Sequence, residues 1–302
     1  MDIIARKQKM ARNLNKDVCA VIVTLNSGQE VPSLISVAPQ VPSVVLIDNG
    51  SQENLYQATA KLVKQFPNAI LLRNAENMGI AAALNRGVRY AQDHDYTWVL
   101  TLDDDSEIAP DMVANMLSSY NALPELLQKK VGILAPNYTN TKGKVYSLTT
   151  PTIIPTAITS GQLVHTRVYE KIGYYKEGFI VGCVDHEFCF RALSHNIHTL
   201  LVPTAFLHQR LGRPSLHSFL GKQFVVPHYS PTRYYYTYRN SIYLYKKYFT
   251  KVPGWICANI WSNFLSFIKI ILFEDKKYEK TAVIARGCVD GLRGVYGKIS
   301  IL

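Results

Sequence analysis

The stretch Thr97-Trp98-Val99-Leu100-Thr101-Leu102-Asp103-Asp104-Asp105-Ser106 sets an apolar run directly against three adjacent carboxylates. Two unit charges about 4 Å apart repel by roughly 4 kcal/mol at an effective dielectric near 20, so such a cluster requires a cation, protonation or open water. Mg²⁺ and Mn²⁺ take oxygen ligands and share them with phosphates, so a carboxylate cluster at a strand end suggests a site for a nucleotide diphosphate. A plainer reading stays open beside it. Ser106 and Asp111 flank Pro110 ahead of the helical set Met112, Val113, Met116, Leu117 and Tyr120, so the acidic turn could simply cap a helix.

Upstream lie three more short apolar runs, Val18 to Leu25, Val44 to Ile47 and Ala69 to Leu72. Runs of this length, bounded by polar residues, fit parallel strands buried on both faces. Helical patterns separate them, one with Leu55, Leu62, Val63 and Phe66, another with Ile80, Leu84, Gly87, Val88 and Ala91. Strand and helix therefore alternate, which predicts an α/β fold with a mostly parallel central sheet flanked by helices. Each strand ends in polar residues: Thr24 and Asn26, then Asp48, Asn49 and Ser51, then Asn74 and Asn77, then Asp103 and Asp105. Open parallel sheets bind ligands at the carboxyl ends of their strands, so these four ends are expected to share one crevice.

Downstream, Pro136, Pro151 and Pro155 punctuate Thr-rich sequence that reads as a β-hairpin or a loop, and Ser160 to Val164 begins another buried segment. Asp185 falls at the entrance of a helix carrying Phe188, Cys189, Phe190, Ala192 and Leu193, where an N-cap role and a chemical role are both open. From Arg233 onward, Arg-Tyr-Tyr-Tyr-Thr-Tyr-Arg-Asn interleaves base and aromatic residues. Trp255 to Phe273 is apolar except for Asn259, Ser262, Asn263, Ser266 and Lys269, which fall on one narrow helical stripe. Such a helix has to bury most of its circumference, and lying in a membrane interface is favoured over spanning or packing on protein.

The chain has 302 residues, 48% hydrophobic and 18% charged, enough for one large α/β domain with an appendage and against disorder as its main state. Residues 208–302 hold 15 Lys and Arg against 4 Asp and Glu, the whole of the +11 surplus. Such a field suits anionic lipid, nucleic acid or a polyanionic substrate. Five cysteines without a C-x-x-C pair argue against a disulfide framework and a structural zinc, and fit a reducing cytoplasm. The first residues lack the apolar core of a secretory signal. The expected organisation is a surface segment 1–17, a catalytic domain 18–225 and a basic, aromatic helical extension 226–302 that associates with a membrane.

Val21 to Asn26, Ile47 to Ser51, Asn77 to Ile80 with Asn85-Arg86-Gly87, Leu102 to Ser106 and Val184 to Phe188 stand in the order found in family 2 glycosyltransferases of the GT-A fold. The likeness is strongest to bacterial rhamnosyltransferases of cell-wall or capsular polysaccharide, and Gly287 to Gly294 also resembles that group. The resemblance implies that Thr24, Asn26, Asp48, Asn77 and Gly79 hold the nucleotide. It implies that Asp103 and Asp105 bind the metal with His208 completing the shell, Asp103 also facing the ribose and Asp104 the donor sugar. Asp185 is then the catalytic base, with His186 and Glu187 at the acceptor.

The activity so implied is inverting sugar transfer with Mn²⁺ or Mg²⁺, from dTDP-L-rhamnose to a polyprenyl-diphosphate-linked glycan, on the cytoplasmic face of an anionic membrane. UDP-galactofuranose, UDP-glucose and UDP-galactose are alternative donors, and a homo-oligomer stays open. A nucleic-acid-binding protein would leave the acidic strand end without a use, so no nucleic-acid partner is expected. A silent glycan- or lipid-binding scaffold would not need Asp103, Asp105 and Asp185 together.

Overall fold

Alternate residues of the first strand enter two different cores. In a computed structural model that describes residues 17–140, 143–144, 147–209, 215–219 and 222–299, strand β1 (Val18–Thr24) is buried along its whole length. Val18, Ala20 and Ile22 join one hydrophobic cluster, and Cys19, Val21 and Val23 join the other. Strand β2 (Ser43–Asp48) divides in the same way, with Val44 and Leu46 on one side and Val45 and Ile47 on the other. Both faces of the sheet are therefore covered, which is why these strands read as continuous apolar runs.

Strands β3 (Ala69–Arg73) and β4 (Trp98–Asp103) complete a parallel block in the order β3-β2-β1-β4. The sheet continues through β9 (Leu163–His165), β6 (Val131–Asn140) and β10 (His198–Gln209) to β5 (Ser106–Ile108). β9 runs antiparallel to β4 and β6, whereas β6 and β10 are parallel. The Thr-rich middle is a hairpin in part, because β7 (Gly143–Lys144) turns back on β6 while β8 (Thr152–Ile154) pairs β10. A separate ribbon joins β11 (Ser215–Phe219) to β12 (Lys222–Val226). Residues 1–16 of the expected N-terminal segment lie outside the described residues.

Helices α1 (Pro32–Val37), α2 (Glu53–Val63) and α3 (Ile80–Asp93) connect the parallel strands, followed by α4 (Met112–Asn121), α5 (Glu125–Lys130), α6 (Thr166–Ile172) and α7 (Val184–Ser194). The capping reading of the acidic turn does not hold. Asp111 precedes α4 without a side-chain cap bond, and Ser106 is buried in β5 with its Oγ 2.7 Å from Ser160 Oγ.

Three helices follow: α8 (Pro231–Tyr248), α9 (Pro253–Phe273) and α10 (Lys277–Arg293). The basic-aromatic run is not a surface, since Tyr234, Tyr235, Tyr236, Tyr238, Arg239 and Asn240 of α8 are all buried. Leu244, Tyr248, Val252 and Ile256 belong to the same core as the sheet, so α8 and the start of α9 finish the catalytic layer. Gly287 and Gly291 explain the glycine pattern near the end of the chain. A Cβ at either would press on the carbonyl oxygens of Tyr235 or Arg239, at 2.6 and 2.7 Å, so α10 can lie on α8 only where both positions lack a side chain.

Helix α9 is turned inside out. Asn263 Nδ2 donates to Ser241 Oγ at 3.2 Å and Tyr245 OH at 2.9 Å, Tyr245 OH donates to Asn259 Oδ1 at 2.7 Å, and Tyr238 OH donates to the Asn263 carbonyl at 2.7 Å. These polar positions face α8, whereas Ser262 of the expected stripe is exposed. Trp261, Phe264, Leu265, Ile268 and Leu272 are exposed as well, and only Ile256 and Ile270 of the helix are buried.

Packing of α3 on the sheet depends on Gly87, because a Cβ there would collide with the side chain of Val21. Gly87→Ala gains about 1 kcal/mol of helix propensity but overpacks a closed layer, so a net loss of about 1–2 kcal/mol is expected in urea unfolding.

Candidate active site

Register brings the polar strand ends together. Thr24 pairs with Asp48, Asp48 with Arg73, and Val23 with Asp103. At this edge Thr24 Oγ1 and Asp48 Oδ1 are buried without a hydrogen-bond partner among the described residues. Buried polar atoms are normally satisfied, so two orphans on neighbouring strand ends mark a place prepared for a polar ligand. The other Asp48 oxygen accepts from the Ser51 amide at 3.2 Å, forming a turn that carries the chain into α2.

The next loop is built on one amide side chain. Asn49 Oδ1 accepts from Asn74 Nδ2 at 3.0 Å and the Met78 amide at 3.1 Å, while Asn49 Nδ2 donates to Asn77 Oδ1 at 3.1 Å. Asn77 Oδ1 also accepts from the Gly79 amide at 2.9 Å. Gly79 has φ +85°, and a Cβ there would meet the Ile180 backbone at 2.9 Å. Ile80 N–H donates to the Ile180 carbonyl at 2.9 Å. The segment before α7 is thereby fastened to the loop after β3.

That segment is held from its other side by α8. Asn240 Nδ2 lies 2.9, 3.0 and 2.9 Å from the carbonyls of Phe179, Val181 and Gly182. The buried Arg239 guanidinium donates to the Gly178 carbonyl at 2.6 Å and the Gly297 carbonyl at 2.8 Å. Asp185 follows in the first turn of α7, its Oδ1 accepting from the His186 amide at 2.8 Å. The N-cap of α7 is Cys183, in the left-handed region and without a side-chain cap bond, so Asp185 is not the cap. Burial pushes the Cys183 thiol up to about 12, which removes it as a nucleophile at neutral pH.

Electrostatics tie the two halves together. Burial, then the charges of Asp105, Asp104 and Asp185, push the Asp103 carboxyl up to about 7, with Arg233 at the start of α8 acting the other way. Asp103, Asp104 and Asp105 follow one another at the end of β4 and the charge of Asp185 also acts on Asp103, so a divalent cation there would relieve the repulsion. Asp103 and Asp105 fit as the protein's share of such an ion, because Mg²⁺-type sites use one or two carboxylates and complete the shell with phosphate and water.

The family 2 glycosyl transferase model matches residues 19–192, which contain these strand ends and Asp185. The chain is a family 2 glycosyltransferase. It is 27% identical over 301 residues to the dTDP-rhamnosyl transferase RfbF of Shigella flexneri, covering 94% of this chain and 98% of that one. A hexosyltransferase of low-salt glycan biosynthesis, Agl10 of Haloferax volcanii, is 24% identical over 207 residues, 63% of this chain and 66% of that one. Among solved structures, a mannosyltransferase from Pyrobaculum calidifontis with GDP-Man and Mn²⁺ superposes with TM-score 0.57 at 13% identity, over 98% of this chain and 84% of that one. GalNAc-T7 with UDP, GalNAc and Mn²⁺ gives TM-score 0.59 at 16% identity over 80% of this chain, which spans 49% of that one. The expected GT-A architecture stands, a central sheet flanked by helices.

Asp104, Glu187 and His208 each have partners within the protein. Asp104 turns toward the loop after β1, where its Oδ2 accepts from Ser27 Oγ and its carbonyl from Ser33 Oγ at 3.1 Å. It latches two strand ends together. Glu187 is fully buried, 2.9 Å from both Arg191 Nη2 and Tyr248 OH, so it joins α7 to α8 and does not meet an acceptor. His208 pairs with Glu107 on β5 and is exposed, its Nδ1 3.3 Å from Thr139 Oγ1. Among the described residues no group of three or more His, Cys, Asp and Glu side chains is gathered as a metal cage.

Asn26 and His186 are engaged with neighbouring segments. The Asn26 amide donates to Ser51 Oγ at 2.7 Å and its Oδ1 accepts from the Gln52 amide at 3.0 Å. His186 holds Thr156 Oγ1 at 2.8 Å and packs on Trp255 of α9 at 4.6 Å between ring centroids. Arg233, Arg239 and Asn240 were not singled out as site residues by sequence, because their run reads as a charged aromatic surface. The one signal available was Asn240, an uncharged amide following a base in an otherwise aromatic helix.

An aspartate in an unfolded chain titrates near 3.9. Between that value and about 7 the folded protein keeps the Asp103 proton that the unfolded chain has released. The contribution is therefore present below about 3.9 and lost as pH rises through about 7. In chelator, the unfolding midpoint should fall across this window, and Asp103→Asn should remove that component of the slope.

Proposed function

We propose that this glycosyltransferase moves L-rhamnose, with inversion, from dTDP-L-rhamnose to a hydroxyl of a polyprenyl-diphosphate-linked glycan in the synthesis of a bacterial surface polysaccharide. The observation that carries this reading is the pair of buried, partnerless oxygens at the strand ends beside Asp103, Thr24 Oγ1 and Asp48 Oδ1, within the family-matched span that also contains Asp185. The donor choice is supported by the likeness to a dTDP-rhamnosyl transferase along nearly the whole chain.

Thr24 and Asp48 offer their orphaned oxygens to the nucleoside, and the Asn77–Gly79 loop borders it. Asp103 and Asp105 would hold Mg²⁺ or Mn²⁺, which would supply positive charge against the leaving diphosphate. Arg233 stacks on the Tyr229 ring at 4.0 Å and brings a fixed cation to the same edge. Asp185 takes the proton of the acceptor hydroxyl as that oxygen approaches the sugar from the face opposite the diphosphate.

The working location is the cytoplasmic surface of an anionic membrane. Helix α9 offers its apolar face to the bilayer interface, and Lys and Arg of the last third meet the lipid phosphates. Removing residues 251–302 would strip α10 from α8, so surface substitutions are the cleaner test. Trp261→Glu with Leu265→Glu should leave the folded protein intact and abolish flotation with liposomes containing phosphatidylglycerol; unchanged flotation refutes the membrane face.

The activity itself is read by diphosphate release from a panel of dTDP-L-rhamnose, UDP-galactofuranose, UDP-glucose and UDP-galactose with Mn²⁺ or Mg²⁺. Asp185→Asn should lower transfer by at least about 100-fold, the scale of a lost general base, and keep nucleotide affinity. Asp105→Ala should weaken Mn²⁺-dependent dTDP binding in calorimetry. Full activity in Asp185→Asn removes that residue from the mechanism.

A further inference from the structure

Beyond α10 the chain returns to the edge of the sheet. The Gly297 amide donates to the Gly178 carbonyl at 3.1 Å, and the Gly297 carbonyl accepts from the buried Arg239 guanidinium at 2.8 Å. The same guanidinium donates to the Gly178 carbonyl at 2.6 Å, so one side chain serves both segments where they cross. The Tyr296 ring lies 6.4 Å from Phe179 and 5.1 Å from Tyr243 between centroids, and the Ile299 amide donates to Tyr236 OH at 3.1 Å. Residues 295–299 are thus laid as a strap over the segment that leads into α7.

The strap also reaches the loop after β3. Gly297 takes φ +87°, and the next residue, Lys298, donates from Nζ to Glu76 Oε2 at 2.8 Å and lies 3.5 Å from the Asn77 carbonyl. Ala75, Glu76, Asn77 and Met78 are exposed, so the loop depends on specific contacts rather than on burial. From the inside Asn49 supplies them, to Asn74, Asn77 and the Met78 amide. From the outside Lys298 does. A Cβ at Gly50 would collide with the Glu76 and Asn77 backbone, so the loop rests directly on the turn that follows Asp48. A shift of Glu76 and Asn77 is therefore passed through Asn49 to the turn beside the orphaned Asp48 oxygen.

We infer that the strap 295–299 fixes the loop after β3 from outside and that Lys298 is a positioning residue for nucleotide binding, an assignment that rests on the nucleotide reading of Thr24, Asp48 and Asn77 given above. Lys298 acts through the loop. An exposed ion pair is a weak contact, so its loss is expected to cost a factor of about two to five in nucleotide affinity.

The full-length parent, Lys298→Glu, Glu76→Lys and the double variant are compared by amide hydrogen exchange of residues 74–79 and by calorimetry of dTDP with Mn²⁺. Each single change should speed exchange at Asn74, Met78 and Gly79, whose amides are bonded to Asp48, Asn49 and Asn77. Each should also weaken dTDP binding about two- to fivefold with Tm unchanged. The double variant, which restores the pair with its charges exchanged, should regain both properties, and Lys298→Arg should match the parent. Unchanged loop exchange in both single variants, unchanged dTDP affinity in variants of a parent that binds dTDP, or a double variant equal to the sum of the singles overturns the assignment. UDP with Mn²⁺ is titrated into the parent separately. Loop exchange that follows the charge pairing in a parent that binds neither dTDP nor UDP would refute the nucleotide reading and uphold the strap as the anchor of the loop.

Discussion

The acidic end of β4 is the constraint that organises the rest of the molecule. Asp103 sits half-buried where burial and three other carboxylates all oppose its ionisation, and such a cluster persists only if surrounding structure fixes it in place. The fixing is visible on every side. Ser160 accepts from the Asp103 amide at 3.1 Å, Ser27 takes the Asp104 carboxylate, and the β1–β4 register holds the strand itself. These contacts hold the cluster through backbone and hydroxyl groups, and Arg233 at the start of α8 adds a positive charge that acts on Asp103.

The same logic explains why α8 is part of the catalytic layer. Asp185 has to approach the β4 end although it lies 80 residues further along the chain, on a helix that enters through a left-handed Cys183. A short irregular segment with Gly178, Ile180 and Gly182 makes that approach, and irregular backbone leaves carbonyls to satisfy. Asn240 and Arg239 supply the donors from α8, and Glu187 returns the connection through Tyr248 and Arg191. Those side chains hold the segment in position.

Legibility in the sequence followed the range of the interactions. The parallel strands, α2, α3 and α4, and the acidic strand end were readable because local periodicity and a break in polarity mark them. The partners of Asp104 and Glu187 could not be read from the residues, since the resemblance supplied only their expected roles. Whether a carboxylate meets a ligand or a neighbouring element is decided by contacts with residues such as Ser27 and Tyr248, which are 77 and 61 residues away. The basic-aromatic run of α8 misled for a related reason: tyrosines whose hydroxyls all find partners inside the protein have the same composition as a stacking surface.

Helix α9 inverts the usual relation between polarity and packing. In a soluble protein the apolar stripe turns inward, yet here Asn259 and Asn263 bond to α8 and the apolar residues turn out. Trp255, at the first turn of this helix, packs on His186 and on Phe190 at 4.9 Å between ring centroids, so α9 touches α7, the helix that carries Asp185. Two rigid contacts of this kind leave little freedom between the apolar face and the chemical edge. The distance from the apolar face of α9 to Asp185 is therefore set by the packing of α7, α8 and α9, and in the proposed membrane-bound state that packing, rather than a flexible tether, would fix the height of Asp185 above the lipid.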